Sequence, residues 1–286
     1  MTYRIITDTA CDYPAHLYAQ LDLIAVPLTV LYKDEAYTEY TEAWLKDLFA
    51  GLRAGENATT SAINPEGWAN AIEPVLREGQ DALVLTFSSG LSATYQSAVI
   101  AADELAEKYP DRKIRVVDTL CASLGQGLLV WLACQKRDAG MELEALRDWG
   151  EEIKLHLCHW FTVDDLMFLK RGGRVSATTA LVGTMLQIKP VLQVDDEGHL
   201  INAAKTRGRK ASIDSLVKKM GETQLPGEND TVFICHGDCL EDAEYLAQQV
   251  KEKFGVKDVL IYYVGAVIGS HSGPGTLALF YLGQHR

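Results

Sequence analysis

The sequence is short of basic residues. Its 286 residues include 27 lysines and arginines against 39 aspartates and glutamates, which gives a formal net charge of −12. A nucleic-acid-binding protein normally carries a basic domain or stripe, so this composition argues against nucleic acid as a partner. The same charge balance opposes broad attraction to anionic lipid and leaves room only for a transient membrane contact at a local basic patch.

Long apolar runs are also absent. No stretch reaches the roughly 18 apolar residues of a membrane-spanning helix, and the first residues lack the basic and apolar regions of a signal peptide. The six cysteines are scattered without the spacing of a disulfide framework, which favours reduced thiols and a cytoplasmic location. At 48% hydrophobic residues, the composition is that of a globular protein with a full core.

Several motifs of enzymes and cofactor-binding proteins are missing. There is no G-x-x-x-x-G-K-[ST] phosphate loop, and the glycines of 265–275 lack dinucleotide-binding spacing. The segment 235–239 contains two cysteines and a histidine without a second pair at zinc-finger spacing, so we expect neither a metal nor another cofactor. A serine acyl hydrolase that uses Ser92 and His271 stays open as an alternative. However, residues 90–94 fail the G-x-S-x-G pattern at its last position, and no catalytic acid is identifiable.

Strands and helices alternate through the first half of the chain. Apolar runs predict strands at 3–7, 81–87 and 113–117, and helical spacing predicts helices at 42–53, 65–79, 93–108 and 124–137. Such alternation is typical of right-handed βαβ units and a mainly parallel sheet. We therefore predict an N-terminal α/β domain over residues 1–155.

The second half has a different pattern. Two apolar runs on either side of the turn 195–198 predict a β-hairpin. Further strands are predicted at 231–235 and 259–264, and helices at 163–170, 211–220 and 241–254. This pattern favours a C-terminal α+β domain with a mixed sheet over residues 156–286.

One turn, Ser88–Tyr95, lies where a predicted buried strand ends and a helix begins. Ligands of open α/β sheets bind at this edge, and the free N–H groups of a helix N-terminus suit a carboxylate or a phosphate. Ser92 would add a hydroxyl at the N-cap. The alternative is that Ser92 only caps the helix.

Four other clusters are candidates for binding. Thr59–Ser61 is a run of hydroxyls in a predicted polar loop, and His271 precedes a Gly-Pro-Gly sequence where the backbone can approach a ligand closely. Their alternatives are a solvated loop and a structural turn. Basic residues cluster at 170–174 and at 205–210, which suits a phosphate or an acidic partner surface. A solvated hairpin end is the alternative for the second basic cluster.

Taken together, these segments resemble the DegV family, the bacterial fatty-acid-binding proteins that serve as substrate-carrying subunits of fatty acid kinase. The resemblance extends nearly from end to end of the chain. It is carried by Ile6–Ala10, Thr60–Ser61 before Pro65, Ser88–Ser97, Ala122–Gly127, Asp164–Leu166, Leu169–Arg174, Ile188–Pro190 and His271–Thr276. It implies a two-domain DegV-like fold with a ligand tunnel between the domains.

The resemblance also implies a function. The protein would bind a long-chain fatty acid such as palmitate and present its carboxylate to a dihydroxyacetone-kinase-like kinase subunit. That subunit would phosphorylate the carboxylate to an acyl phosphate for phospholipid synthesis, while this chain itself would be non-catalytic. A fatty-acid or small-lipid sensor without a kinase partner is the alternative.

Site residues follow from the resemblance by motif. Thr60 and Ser92 would bind the carboxylate, and the residues beside them in the site would be Ser61, His271 and Gly273. Three arginines match family positions near the reaction and the docking face: Arg171, Arg174 and Arg207.

This sequence departs from the family pattern at a few positions. The usual T-S-Q-P-S-P is Thr60-Ser61-Ala62-Ile63-Asn64-Pro65 here, which puts the local hydrogen bonding and the loop rigidity in doubt. Elsewhere Ala93 replaces a glycine, Thr119–Cys121 replaces a turn with a basic residue, and Ser272 replaces a threonine while keeping its hydroxyl.

Overall fold

The computed structural model of the chain describes residues 3–176 and 188–286. Within these residues, thirteen strands form three sheets. In chain order the strands are β1 (Tyr3–Asp8), β2 (Ile24–Val26), β3 (Thr29–Tyr32), β4 (Glu35–Tyr37), β5 (Ala58–Ser61), β6 (Asp81–Thr86), β7 (Ile114–Asp118), β8 (Leu157–Thr162), β9 (Ile188–Val194), β10 (Leu200–Arg207), β11 (Thr231–His236), β12 (Asp258–Tyr263) and β13 (Leu277–Leu282).

Ten α-helices accompany the strands within the described residues. They are α1 (Ala15–Gln20), α2 (Glu42–Arg53), α3 (Pro65–Arg77), α4 (Thr94–Lys108), α5 (Leu124–Asp138), α6 (Leu143–Ile153), α7 (Leu166–Arg171), α8 (Arg209–Thr223), α9 (Leu240–Phe254) and α10 (Ala266–Ser272). Two single 3-10 turns lie at Thr9–Cys11 and Lys154–His156. In the part of the chain that the structure covers, none of the helices has the length and apolar character needed to span a bilayer.

The first half contains the predicted parallel sheet. Its strand order is β2-β1-β6-β7, and all neighbouring strands are parallel. Local sequence explains where its helices begin: Thr41 Oγ1 accepts the Trp44 N–H at 3.2 Å before α2, and Asn64 Oδ1 accepts the Gly67 N–H at 2.8 Å before α3. The departure at Asn64 therefore keeps an N-capping side chain.

The second half contains a six-stranded mixed sheet with the order β10-β9-β8-β13-β11-β12. Only β11 and β12 form a parallel pair, and the hairpin of β9 and β10 is antiparallel as predicted. All strands of this sheet follow residue 155, and all strands of the parallel sheet precede it. The domain boundary itself stays a prediction.

Helix α5 joins the two halves. It follows the parallel sheet in sequence but packs against β8, β11 and β13 of the mixed sheet. The ring centroids of Trp131 on α5 and Phe233 on β11 lie 5.9 Å apart. On the side of the first half, the Tyr13 hydroxyl donates a hydrogen bond to the Gly127 carbonyl of α5. The buried core is therefore continuous from one sheet to the other through this helix.

One segment prediction was wrong, and the helix that carries His271 was not predicted. The predicted loop at 57–65 contains strand β5, which pairs antiparallel with β3 in a small three-stranded sheet. Its sequence, Ala-Thr-Thr-Ser, is polar because the strand is only partly covered. The glycine-rich stretch 265–275, for which no helix was predicted, contains helix α10, and His271 lies on this helix.

Candidate functional site

A cavity of about 320 Å³ lies between the two halves of the protein. Most of its lining is apolar, including Phe87 and Leu91 from the first half and Phe161, Val267 and Phe280 from the second. Four of the five predicted ligand-binding residues line it, and these are Thr60, Ser61, Ser92 and His271. The structure therefore brings together side chains from three separate motifs.

Thr60 and His271 contact each other directly. Thr60 on β5 is held opposite Val30 of β3, and its Oγ1 lies 2.7 Å from Nε2 of His271 on α10. Burial and the positive charge of Arg174 lower the pKa of His271 to about 4, so the imidazole is neutral at pH 7. Because one of these two groups donates to the other, the pair keeps one donor for a ligand, and it adds no positive charge to the site.

The ring of His271 has little freedom on its other side. Gly172, at the end of α7, lies against Nδ1, and a methyl group at that position would overlap the ring. A glycine is required there because only its missing side chain permits this close approach. Gly172 therefore leaves the space that the imidazole occupies beside Thr60.

Ser92 is the residue before the N-cap of α4 and not the N-cap itself. The N-cap of α4 is Ala93, so the prediction that Ser92 is the N-cap was wrong. The chain first winds through a turn, in which the N–H groups of Leu91 and Ser92 both donate to the Ser88 carbonyl at 3.1 Å. Ser92 Oγ lies 2.8 Å from Thr94 Oγ1 and accepts the Thr94 N–H at 3.3 Å.

The arginines take three different positions. Arg174 lines the cavity, where its Nε and Nη2 donate to the Leu91 carbonyl at 3.2 and 3.1 Å, and burial lowers its pKa. Arg171 places its guanidinium 4.5 Å from the ring centroid of Phe168. Arg207 is exposed at the end of β10.

A second, outer cleft of about 390 Å³ adjoins the cavity. Thr60, His271 and Arg174 line both spaces, and Arg171 lines only the outer one. The polar end of the cavity is thus the boundary between an apolar interior and an open cleft with two arginines.

Gly273 lies elsewhere. It follows α10 with a positive φ of 79° and packs against the ring of Phe168. The lining of both spaces, as far as the described residues define it, does not include Gly273.

Sequence reasoning missed several lining residues. Ser272 Oγ is buried and has no hydrogen-bond partner among the described residues, and the only signal for it was its place in the His271 motif. His159 also lines the cavity, but nothing in its sequence neighbourhood pointed there. Within residues 3–176 and 188–286, no group of three or more His, Cys, Asp or Glu side chains is arranged to hold a metal ion.

This arrangement suits an amphiphile with an acidic head. The hydroxyls, the neutral imidazole and the nearby guanidinium provide donors at one end, and the rest of the cavity offers apolar contact. The serine hydrolase geometry is not formed, because Ser92 Oγ is paired with Thr94 and His271 with Thr60.

The fold and the cavity define an α/β protein of two principal sheets with an amphipathic pocket between its halves. The chain belongs to the DegV family, because a family model described as "Uncharacterised protein, DegV family" matches residues 2–284. A DegV domain-containing protein of Clostridium perfringens is 46% identical over 284 residues, covering 99% of this chain and 98% of the relative.

Solved structures agree with this assignment. A DegV family protein from Thermus thermophilus, whose structure is described as showing fatty acid binding, has a TM-score of 0.88 and 33% identity, covering 99% of this chain and 100% of that one. A DegV lipid-binding protein from Thermotoga maritima has a TM-score of 0.87 and 29% identity, with both chains fully covered. The predicted family and the α/β fold with its parallel and mixed sheets are therefore confirmed.

Proposed function

We propose that this protein binds a long-chain fatty acid, palmitate-like in length, with its carboxylate at Thr60 and His271 and its chain in the cavity. The observation that carries the proposal is the Thr60–His271 hydrogen bond of 2.7 Å at the polar end of an otherwise apolar cavity. The fatty acid binding described for the Thermus thermophilus relative supports the same ligand class.

The energetics of such a ligand favour this geometry. Burying the methylenes of a chain of about 16 carbons contributes on the order of 10 kcal/mol before the costs of association, at about 0.8 kcal/mol per methylene. The carboxylate loses water on entering and needs several donors in compensation. Ser92, Ser61 and Ser272 supply further hydroxyls in the same lining.

We further propose that the bound carboxylate is phosphorylated by a separate, dihydroxyacetone-kinase-like subunit, giving an acyl phosphate for phospholipid synthesis. The outer cleft supports this role, because Thr60, His271 and Arg174 border it as well as the cavity. Arg171 and Arg174 would face the transferred phosphate, and the exposed Arg207 would dock the kinase subunit. The chain itself would carry out no chemistry.

Native mass spectrometry of the purified protein, followed by lipid analysis of an organic extract, tests the first proposal. We expect one fatty acid per chain, either carried through purification or acquired when fatty acids are added. A protein that is empty and also refuses added fatty acids would overturn the proposal. A covalent adduct of Ser92 with a fluorophosphonate probe would instead support the hydrolase alternative.

The kinase proposal has its own test. The purified, fatty-acid-loaded protein is mixed with a candidate kinase subunit and ATP, and acyl phosphate is trapped with hydroxylamine. Acyl hydroxamate that requires both proteins supports the carrier role. Fatty acid binding without any turnover or association would favour a sensor.

A further inference from the structure

The floor of the cavity is one face of the mixed sheet, and its side chains lie in rows across the paired strands. Thr276, just before β13, lines the cavity close to the helix that carries His271, since its hydroxyl donates at 2.8 Å to the carbonyl of Gly273, the residue that ends α10. Ala278 comes next and pairs with Phe161 on β8 and Cys235 on β11. Phe280 is two residues further and lies about 14 Å from Thr276 along the strand.

The row at Phe280 crosses four strands. Phe280 pairs with His159 on β8, and the register of β8 with β9 places Val194 beside His159. Leu200 on β10 pairs with Val194. All four side chains line the cavity, and we call Leu200, Val194, His159 and Phe280 the closing row.

His159 is a rigid member of this row. Its Nδ1 donates to the Leu157 carbonyl at 2.9 Å, and its Nε2 accepts the Ala122 N–H at 3.2 Å. Both ring nitrogens are therefore occupied, and burial lowers the pKa of His159 to about 3, so it stays neutral. Its ring and that of Phe280 pack edge to face, with their centroids 5.2 Å apart. Because both nitrogens are bonded elsewhere, the ring contacts the cavity through its carbon atoms.

The other end of the row is fixed as well. The turn between β9 and β10 is tied to the first half of the protein, because Ser88 Oγ donates to the Gly198 carbonyl at 3.0 Å. Gly90 lies against the backbone of the same turn. Close packing of this kind resists a change in volume, so a ligand cannot push the row aside at low cost.

We propose that the closing row sets the longest acyl chain that the cavity accepts, with Phe280 and His159 as its specificity-determining pair. The inference rests on the proposed function, since it requires the carboxylate to be held at Thr60 and His271. The chain would then run along the sheet face past Ala278, and its methyl end would meet Phe280.

A series of saturated fatty acids that differ by two carbons tests this. In the wild-type protein, affinity should rise about fourfold per added methylene until the chain end meets the row, and then fall. Phe280→Ala should move this turning point to chains longer by at least two carbons. Affinities are measured by displacement of a fluorescent fatty acid.

Phe233→Ala is the matched control. Phe233 pairs with Phe280 on the neighbouring strand and is equally buried, but it packs against Trp131. Within the part of the chain that the structure describes, it does not line the cavity. The same loss of volume should therefore leave the turning point unchanged. Binding with an unchanged turning point in Phe280→Ala would overturn the role of the closing row.

A second variant works in the opposite direction. Ala278→Leu adds volume one row nearer the polar end, and it should move the turning point to shorter chains even if Phe280→Ala does not fold. An unchanged turning point in Ala278→Leu would also contradict the inference. A wild-type protein that binds no fatty acid of any length would overturn the proposed function itself, a different and recognisable result.

Discussion

Thr60 Oγ1 lies 2.7 Å from Nε2 of His271, although the two residues are 211 positions apart in the sequence. The contact joins the small antiparallel sheet that contains β5 to helix α10 of the second half. It also lies where the cavity meets the outer cleft. A ligand carboxylate bound there would be accessible from outside while its chain stays buried.

Loss of the Thr60 hydroxyl or of the Ser92 hydroxyl should weaken fatty acid binding. A hydrogen bond to a charged group contributes about 1.5–3 kcal/mol, so Thr60→Val should raise the dissociation constant by about tenfold to a hundredfold. We expect the same direction for Ser92→Ala, and binding can be measured by calorimetry. Thr59→Val is the control, because Thr59 is exposed on the same strand and does not line the cavity within the described residues.

Two results would decide this prediction. Thermal unfolding should show that the fold is retained in all three variants. Dissociation constants within twofold of the wild-type value for both Thr60→Val and Ser92→Ala would contradict the carboxylate site.

The histidine at this site predicts a dependence of stability on pH. Because the pKa of His271 is about 4 in the folded protein against 6.5 ordinarily, the unfolded chain binds more protons between these values. The part of the unfolding free energy that depends on His271 is therefore fully present above pH 6.5. It decreases by up to about 3 kcal/mol as the pH falls toward 4. Urea unfolding of the wild type and of His271→Gln across this range measures the effect.

Comparison with the variant isolates the histidine. Asp8 and Asp12 are buried carboxyls whose pKa values are raised to about 6 and about 7, so they change stability with pH in the opposite direction. They do so in both proteins, and their effect cancels in the difference. A difference between wild type and His271→Gln that stays constant from pH 7 to 4 would show that His271 titrates alike in both states.

Local signals predicted several elements of the first half well. Helix α2 has the predicted bounds, because Thr41 caps its first turn and apolar residues recur at helical spacing up to Arg53. Strands β6 and β7 and helix α5 lie within one or two residues of their predictions. In each, burial on one side or both produces a pattern that can be read along the chain.

Other elements gave no such pattern. Strand β8, at the centre of the mixed sheet, is buried on both faces and includes Cys158 and His159, so it shows neither alternation nor a purely apolar run. The polar strand β5 resembled a loop. The Thr60–His271 contact depends on tertiary structure: the two residues stood in separate candidate clusters, and only the family resemblance placed them in one site. The closing row was not anticipated, because it is defined by the register of four strands.

Two helical glycines should respond oppositely to the same substitution. In α5, a methyl group at Gly125 would overlap the ring of His159, so Gly125→Ala should destabilise the protein by about 1–3 kcal/mol. In α6, a methyl group at Gly150 would have its nearest neighbour, Val117, at 3.8 Å. Gly150→Ala should stabilise by about 0.5–1 kcal/mol, since alanine favours the helix.

Urea midpoints of the two variants measure this difference. Effects of the same sign would contradict the tight approach of α5 to the mixed sheet. Gly125→Ala should also weaken fatty acid binding because it displaces His159, whereas Gly150→Ala should not.

Substitution of Arg207 should separate docking from binding. This arginine is exposed at the end of β10, and among the described residues no hydrogen bond or ion pair holds its side chain. It lies outside the cavity lining. Arg207→Ala should therefore leave fatty acid affinity within twofold of wild type and lower acyl phosphate formation by the kinase subunit at least tenfold. Because surface charges act mainly on association, the loss should appear as a higher KM for the loaded carrier and should diminish at high salt.

Lys253→Ala removes the same charge from the distant helix α9 and should not have this effect. Equal turnover in the Arg207→Ala and Lys253→Ala proteins would refute a docking role for Arg207, and a parallel fall in fatty acid affinity would assign it to the binding site instead.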